Sequence, residues 1–229
     1  MGREVGLDLG KPTDGPVARY INRRVSRRIT YLIVRRNIGM TPNQLSLISF
    51  LLALASSYLY LARLPAVAGV LVQLSSIVDG VDGELARVRG LQSGCGAFLD
   101  AVLDRYADVA IVVSVALYAA QLLGFWVVPV ALLALAGDLL VSYVHLRGEH
   151  DLGVHPALVG RIPAVASRDV RLFIVFLASL AEHALPGSLG CSLVVLAVLT
   201  HSYAALKVVQ VLKMEGWGQG RSPRPPSCN

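Results

Sequence analysis

Apolar residues fall into six long runs, at roughly 45–62, 66–81, 97–123, 126–146, 172–185 and 189–211. A helix needs about 20 apolar residues to cross a bilayer, and the fifth run is the shortest of the set. Residues 17–36 follow a different pattern. There Val17, Tyr20, Ile21, Val25, Ile29, Leu32 and Ile33 recur at helical spacing, with arginines filling the other side. That spacing predicts an amphipathic helix lying along a membrane surface, or else a solvated basic helix. Thr41-Pro42-Asn43 reads as the cap and first turn of the first crossing. The pattern therefore predicts an all-α polytopic membrane protein, with six transmembrane helices preceded by a juxtamembrane amphipathic helix. Residues 1–40 form the lead-in, residues 41–213 the membrane domain, and residues 214–229 a Gly/Pro-rich tail expected to be disordered.

Composition supports the membrane reading. Of 229 residues, 55% are hydrophobic and only 16% charged, against about 25% charge in a soluble domain. The first forty residues are polar and basic with no short apolar core, so no secretory leader is expected. Cys95, Cys191 and Cys228 are widely spaced and form no CxxC pair, so the sequence suggests neither a disulfide framework nor a zinc site. Basic residues collect before the first run, at Arg87 and Arg89, at Arg147, Arg161, Arg168 and Arg171, and at Lys207 and Lys213, whereas the opposite loops hold Arg63 and little else. By the positive-inside rule both termini and the basic loops are expected to be cytoplasmic, in the cell membrane.

Against this apolar background, residues 79–104, "DGVDGELARVRGLQSGCGAFLDAVLD", concentrate aspartates. Asp79, Asp82, Gly83, Ala86 and Arg87 share one helical face, and Gly96, Asp100 and Asp104 share another, continuing to Asp108. The intervening turn folds the two helices antiparallel, so four carboxylates would meet in one small volume. Like charges there resist burial unless cations compensate them. Carboxylate-only ligation favours hard ions, Mg²⁺ or Mn²⁺. Small residues let a ligand approach, and Arg87 suits phosphate. Two other readings share these residues: inert salt bridges within a bundle, and a proton or cation pathway in a transporter. A transporter would string its carboxylates through the membrane depth, where only Asp138 lies, and Asp138 could be held by Ser142.

The stretch resembles the signature of the CDP-alcohol phosphotransferase family, D-x2-D-G-x2-A-R-x8-G-x3-D-x3-D. All eight fixed positions match, at Asp79, Asp82, Gly83, Ala86, Arg87, Gly96, Asp100 and Asp104. The resemblance implies transfer of a phosphoalcohol group from a CDP-alcohol to an acceptor hydroxyl, with release of CMP. It further implies that Asp79, Asp82, Asp100 and Asp104 hold two metal ions and that Asp104 is also the catalytic base. Pro42, Asn43, Gln44, Leu45, Asp79, Gly83, Ala86, Arg87 and Ser93 would contact the CDP moiety. Arg105 and Asp108 lie outside the signature and could pair locally.

Arg161, Arg168 and Arg171 could receive the phosphate of an anionic acceptor such as inositol phosphate, or could simply reflect positive-inside topology. "KPTDGPVARYINRRVS" and "SRDVRLF" resemble the membrane domain of archaeal di-myo-inositol phosphate phosphate synthases, which join CDP-inositol to inositol 1-phosphate. A phospholipid synthase using a CDP-linked lipid carries the same signature. Membrane lipid is an expected partner and nucleic acid is not, and the family resemblance implies a homodimer. His145, His150 and His155 recur every five residues, a poor match to one helical face, and read as solvated loop residues; His183 and His201 carry no signal.

Overall fold

The computed structural model describes residues 13–153, 155–159 and 163–218. The described residues are helical, without strands. A π-helical turn, Ala18–Asn22, runs into α1, Arg23–Arg35. It is followed by α2 (Pro42–Leu61), α3 (Pro65–Arg89), α4 (Gly94–Leu123), α5 (Val127–Leu152), a 3-10 turn at Pro156–Leu158, α6 (Arg168–Ala181) and α7 (Ser188–Gly218). Five of these, α2, α3, α4, α5 and α7, are long and apolar enough to cross a membrane. The expected fifth crossing is α6, which has 14 residues, about 21 Å of helix against a hydrocarbon core of about 30 Å. α7 continues past residue 213 to Gly218, and the remainder of the expected tail lies outside the described residues.

Local chemistry sets the boundaries. Thr41 and Gln44 form a reciprocal capping box at the start of α2, with Gln44 N to Thr41 Oγ1 at 3.3 Å and Thr41 N to Gln44 Oε1 at 2.9 Å. Gly90 ends α3 with φ +66°, a left-handed conformation that glycine adopts without penalty. Ser93 caps α4 by accepting from Gly96 N at 3.0 Å. Glu182 caps α7 from beyond the end of α6, accepting from Gly187 N and Leu189 N at 2.7 Å each and from Ser188 Oγ at 2.8 Å. A buried carboxylate at a helix N-terminus is favoured by the backbone N–H groups it satisfies.

α2 packs on α3 and α4, α3 on α6, α4 on α5, and α5 on α7. The main core runs from Ala53 and Tyr60 through Val72, Ile111 and Val115 to Leu172, Leu189 and Leu193. Small residues and buried hydroxyls hold the close crossings, as expected where lipid removes most of the hydrophobic drive between helices. Tyr60 and Ser179 share a hydrogen bond of 2.6 Å, and Gly69 lies where any Cβ would strike Ser179.

α1 packs on α3 by its polar side. Arg23, Ser26 and Thr30 are buried, while Tyr20, Ile21, Val25, Tyr31 and Leu32 are exposed; of the apolar stripe only Ile33 is buried, with Ile29 packed beside it. Lys207, grouped in the sequence with the positive-inside residues, is fully buried and donates to Val159 O at 3.0 Å.

Gly69→Leu should lower the thermal midpoint measured in detergent, by the about 1–3 kcal/mol that overpacking costs. Gly39→Ala, at a position with no heavy atom within 4 Å of the added Cβ, should leave it unchanged. Equal midpoints for both would show that α3 and α6 do not approach this closely.

Candidate active site

α3 and α4 run antiparallel around the Gly90–Ser93 turn, which brings the end of one helix beside the start of the other. Asp79, Asp82 and Asp100 each offer a carboxylate oxygen, and these oxygens all lie within 4.8 Å of one another. Ser46 Oγ of α2 donates to Asp82 Oδ2, a contact absent from the sequence reading. Asp79 Oδ1 is buried and has no hydrogen-bond partner. A negative cluster with an orphaned buried oxygen fits a hard divalent cation, for which three oxygens at this spacing are suitable ligands.

Asp104 is placed differently. It is not in that three-residue cluster; Arg168 Nη1 lies 2.9 Å from its Oδ1 and 3.4 Å from Asp79 Oδ2. Arg168 Nε also donates to Asp108 Oδ1 at 2.9 Å. Behind it, Arg171 Nε is 3.0 Å from Asp138 Oδ1, and Arg105 reaches Asp108 at 3.2 Å and Asp138 at 3.5 Å. Arg105 and Asp108 therefore do pair. Asp138 is held by arginines, and Ser142 donates to its backbone carbonyl at 3.3 Å rather than to its carboxylate. Of the three arginines expected to meet an anionic acceptor, Arg168 and Arg171 converge here; Arg161 lies outside the described residues.

Two cavities meet at the aspartates. The first, about 290 Å³, is lined by Asp79, Asp104, Arg105, Arg168 and Arg171 together with Thr13, Asp14, Gly15, His145 and His155. The second, about 270 Å³, is lined by Pro42, Asn43, Ser46, Ala86, Arg87, Gln92 and Ser93. Asp82, Gly83 and Asp100 line both. Pro42, Asn43, Gly83, Ala86, Arg87 and Ser93 thus line one cavity together. Gln44 does not line the cavity, because it caps α2, and Leu45 is buried against Ile33, Val81 and Leu85. Gly96 stands with its missing Cβ position 3.0 Å from Ser93 Oγ and 3.2 Å from Asn43 Oδ1, a tight fit in which a larger residue would have to push these side chains aside.

The histidines also depart from expectation. His145 and His155 lie with ring centroids 4.7 Å apart on the wall of the first cavity, and His145 Nε2 is 3.1 Å from Tyr203 Oη. Their ten-residue separation carried no signal because α5 ends between them and the chain turns back.

Five helices of membrane-crossing length with paired cavities around an aspartate cluster give the layout of an integral membrane protein with a polar site at one end of the bundle. The chain belongs to the CDP-alcohol phosphatidyltransferase family, whose family model matches residues 39–210. It is 39% identical over 202 residues to a Thermococcus kodakarensis protein named bifunctional IPC transferase and DIPP synthase, covering 87% of this chain and 45% of that protein. The chain thus spans about half the length of that relative. It is 32% identical over 190 residues to a Methanothermobacter thermautotrophicus archaetidylinositol phosphate synthase, covering 82% of this chain and 91% of that one. The crystal structure of a Mycobacterium tuberculosis phosphatidylinositol phosphate synthase with CDP-DAG bound has the same fold, with a TM-score of 0.68 at 23% identity over 82% of this chain and 94% of that one. That enzyme in complex with manganese and citrate also aligns at 0.68, with 22% identity over 82% of this chain and 89% of that one.

Asp82→Asn and Asp100→Asn should each weaken Mn²⁺ binding to the purified protein by tenfold or more, about the 1.4 kcal/mol or greater expected for losing one charged ligand. Mn²⁺ electron paramagnetic resonance reads this directly, and binding as in the unaltered protein would remove these residues from the ligand set.

Proposed function

We propose that the chain transfers a phosphoalcohol group from a CDP-alcohol to an acceptor hydroxyl, releasing CMP, with CDP-inositol as donor and inositol 1-phosphate as acceptor. The product is di-myo-inositol phosphate phosphate. The observation that carries this reading is the pair of cavities sharing Asp82, Gly83 and Asp100, one lined by the signature residues and the other by arginines. Donor and acceptor would then meet across the aspartates.

Asp79, Asp82 and Asp100 would hold Mg²⁺ or Mn²⁺, two ions with Asp104 as a further ligand, which when bound would neutralise charge on the diphosphate and the departing CMP. Arg87 and Asn43 would bind and orient the CDP portion, while Ala86 leaves room for the nucleotide. Arg168 and Arg171 would hold the acceptor's phosphate. Asp104 would take the proton of the acceptor hydroxyl as its oxygen bonds to the phosphorus carrying the donor alcohol, and the bond from that phosphorus to CMP breaks. Arg168, now 2.9 Å from Asp104, would turn part of its charge to the incoming phosphate and leave the carboxylate free to act as base.

Taking α6 as a short sixth crossing places both termini and the aspartates on the cytoplasmic side. The exposed face of α1, with Tyr20, Ile21, Val25 and Leu32, would then lie in the membrane surface. The apolar faces left by the bundle suit lipid and a second copy of the chain.

A phospholipid synthase is the second reading, favoured by the relative named archaetidylinositol phosphate synthase and by the CDP-DAG in the similar structure. Coupled transport is disfavoured, because the metal-type cluster lies at one end of α3 and α4 and two substrate-sized cavities open on it.

CDP-inositol and a CDP-linked archaeal lipid, each offered with inositol 1-phosphate and Mg²⁺, should distinguish the readings by product mass. A lipid product alone sinks the soluble-donor reading, and no CMP from either donor sinks the transfer reading. Asp104→Asn should lower turnover by about 10² or more while CDP-alcohol binding survives. Arg168→Ala should raise the acceptor KM by about tenfold, the scale of a lost charge-assisted hydrogen bond. An unchanged acceptor KM would show that Arg168 does not meet the acceptor.

A further inference from the structure

The proposed chemistry uses one side of α3, and the far side carries a second polar device. Glu84 stands two residues past Asp82, which on a helix directs it to the opposite face. It is fully buried, with none of its surface exposed. Its carboxylate receives Arg23 Nη1 at 2.8 Å, Ser26 Oγ at 2.7 Å and Thr30 Oγ1 at 2.7 Å. Arg23 Nη1 also donates to Gly80 O at 3.1 Å. One turn further along, Asn22 donates to Ser76 Oγ at 3.0 Å and accepts from Gln73 Nε2 at 2.7 Å. A buried carboxylate persists only when paired and hydrogen-bonded, and here that requirement fixes α1 on α3.

Arg23 carries the connection onward. Its Nε and Nη2 donate to Asp14 Oδ2 and Oδ1 at 2.9 and 3.0 Å, a two-bond fork. Burial works against the Arg23 charge, but Asp14 and Glu84 more than offset it and hold its pKa above the ordinary guanidinium range. Asp14, Thr13 and Gly15 line the cavity that contains Asp104 and Arg168. The far end of this segment is tied where Ala18 N donates to Asp169 Oδ2 at 2.6 Å, one residue after Arg168. Gly15 passes so close to Ser167 and Asp169 that a Cβ would collide with both.

We propose that Glu84 is a positioning residue that holds residues 13–18, through Arg23, as one wall of the acceptor cavity. Its role is in acceptor affinity rather than in the transfer step, and it rests on the assignment of that cavity to the acceptor. The wall is set by a carboxylate inside the signature stretch at a position the signature leaves open.

Full-length Glu84→Gln, Arg23→Gln and Asp14→Asn proteins test this, with CMP release measured while donor and acceptor are varied separately. Each should raise the acceptor KM by about tenfold, with kcat and donor KM changed less than about twofold. The double variant Glu84→Gln/Asp14→Asn should be no worse than the poorer single, because both act through Arg23. Amide hydrogen exchange should accelerate over residues 14–35 in Glu84→Gln and remain unchanged over residues 94–104. Unchanged acceptor KM in all three, or a fall in kcat with donor and acceptor KM unmoved, overturns the proposal. Asp14→Asn keeps the kinetic test open if Glu84→Gln fails to fold. If the unaltered enzyme uses a different acceptor, the assignment of inositol phosphate fails by itself; the KM shift is then read with the acceptor it uses, and unaltered exchange at residues 14–35 still overturns the wall.

Discussion

Every functional feature of this chain depends on how a low-dielectric bundle tolerates carboxylates. Asp79, Asp104, Asp108 and Asp138 are each within 3.5 Å of an arginine, and Arg168 alone faces three of them. Removing a single partner from such a network leaves an uncompensated charge, so these groups fix one another's positions. The arginines do not neutralise the whole cluster. Asp79 keeps an orphaned buried oxygen beside Asp82 and Asp100, and there the remaining negative charge is available to a cation.

The helices are arranged to serve this charge balance. α3 and α4 supply the aspartates, α6 delivers Arg168 and Arg171 from the other side, and α5 contributes Asp138 beneath them. Close approach is needed for guanidinium and carboxylate to meet, and glycine or serine at the crossings permits it, as at Gly69 with Ser179. The polar face of α1 obeys the same rule. Arg23, Ser26 and Thr30 satisfy Glu84 only by turning inward, which leaves the apolar stripe facing outward.

The sequence revealed what is local and periodic. Spacing placed Asp79, Asp82 and Asp100 together, and a helix boundary followed from Thr41-Pro42. It did not reveal contacts made between distant segments. Ser46 on Asp82 is 36 residues away, and nothing in the order of residues marks that serine among the others on α2. Glu84 falls between the fixed positions of the signature, and its partners lie more than 50 residues earlier. The α1 stripe was readable as amphipathic, but periodicity cannot say which face meets the rest of the protein.

The same reasoning explains why the reaction class is more legible than the substrates. The cavity that would take the nucleotide is built from one signature and the start of α2, so a few fixed residue types define it. The other cavity draws on residues 13–26, α3, α4, α5, the His155 loop, the segment before α6 and α6 itself. These separate stretches must be brought together before its shape exists. The connection from α1 through Arg23 to Asp14 links the wall of this cavity to the helix whose apolar face is turned outward. One buried carboxylate, Glu84, thus seats α1 on α3 and reaches through Arg23 to Asp14 on the wall of the first cavity.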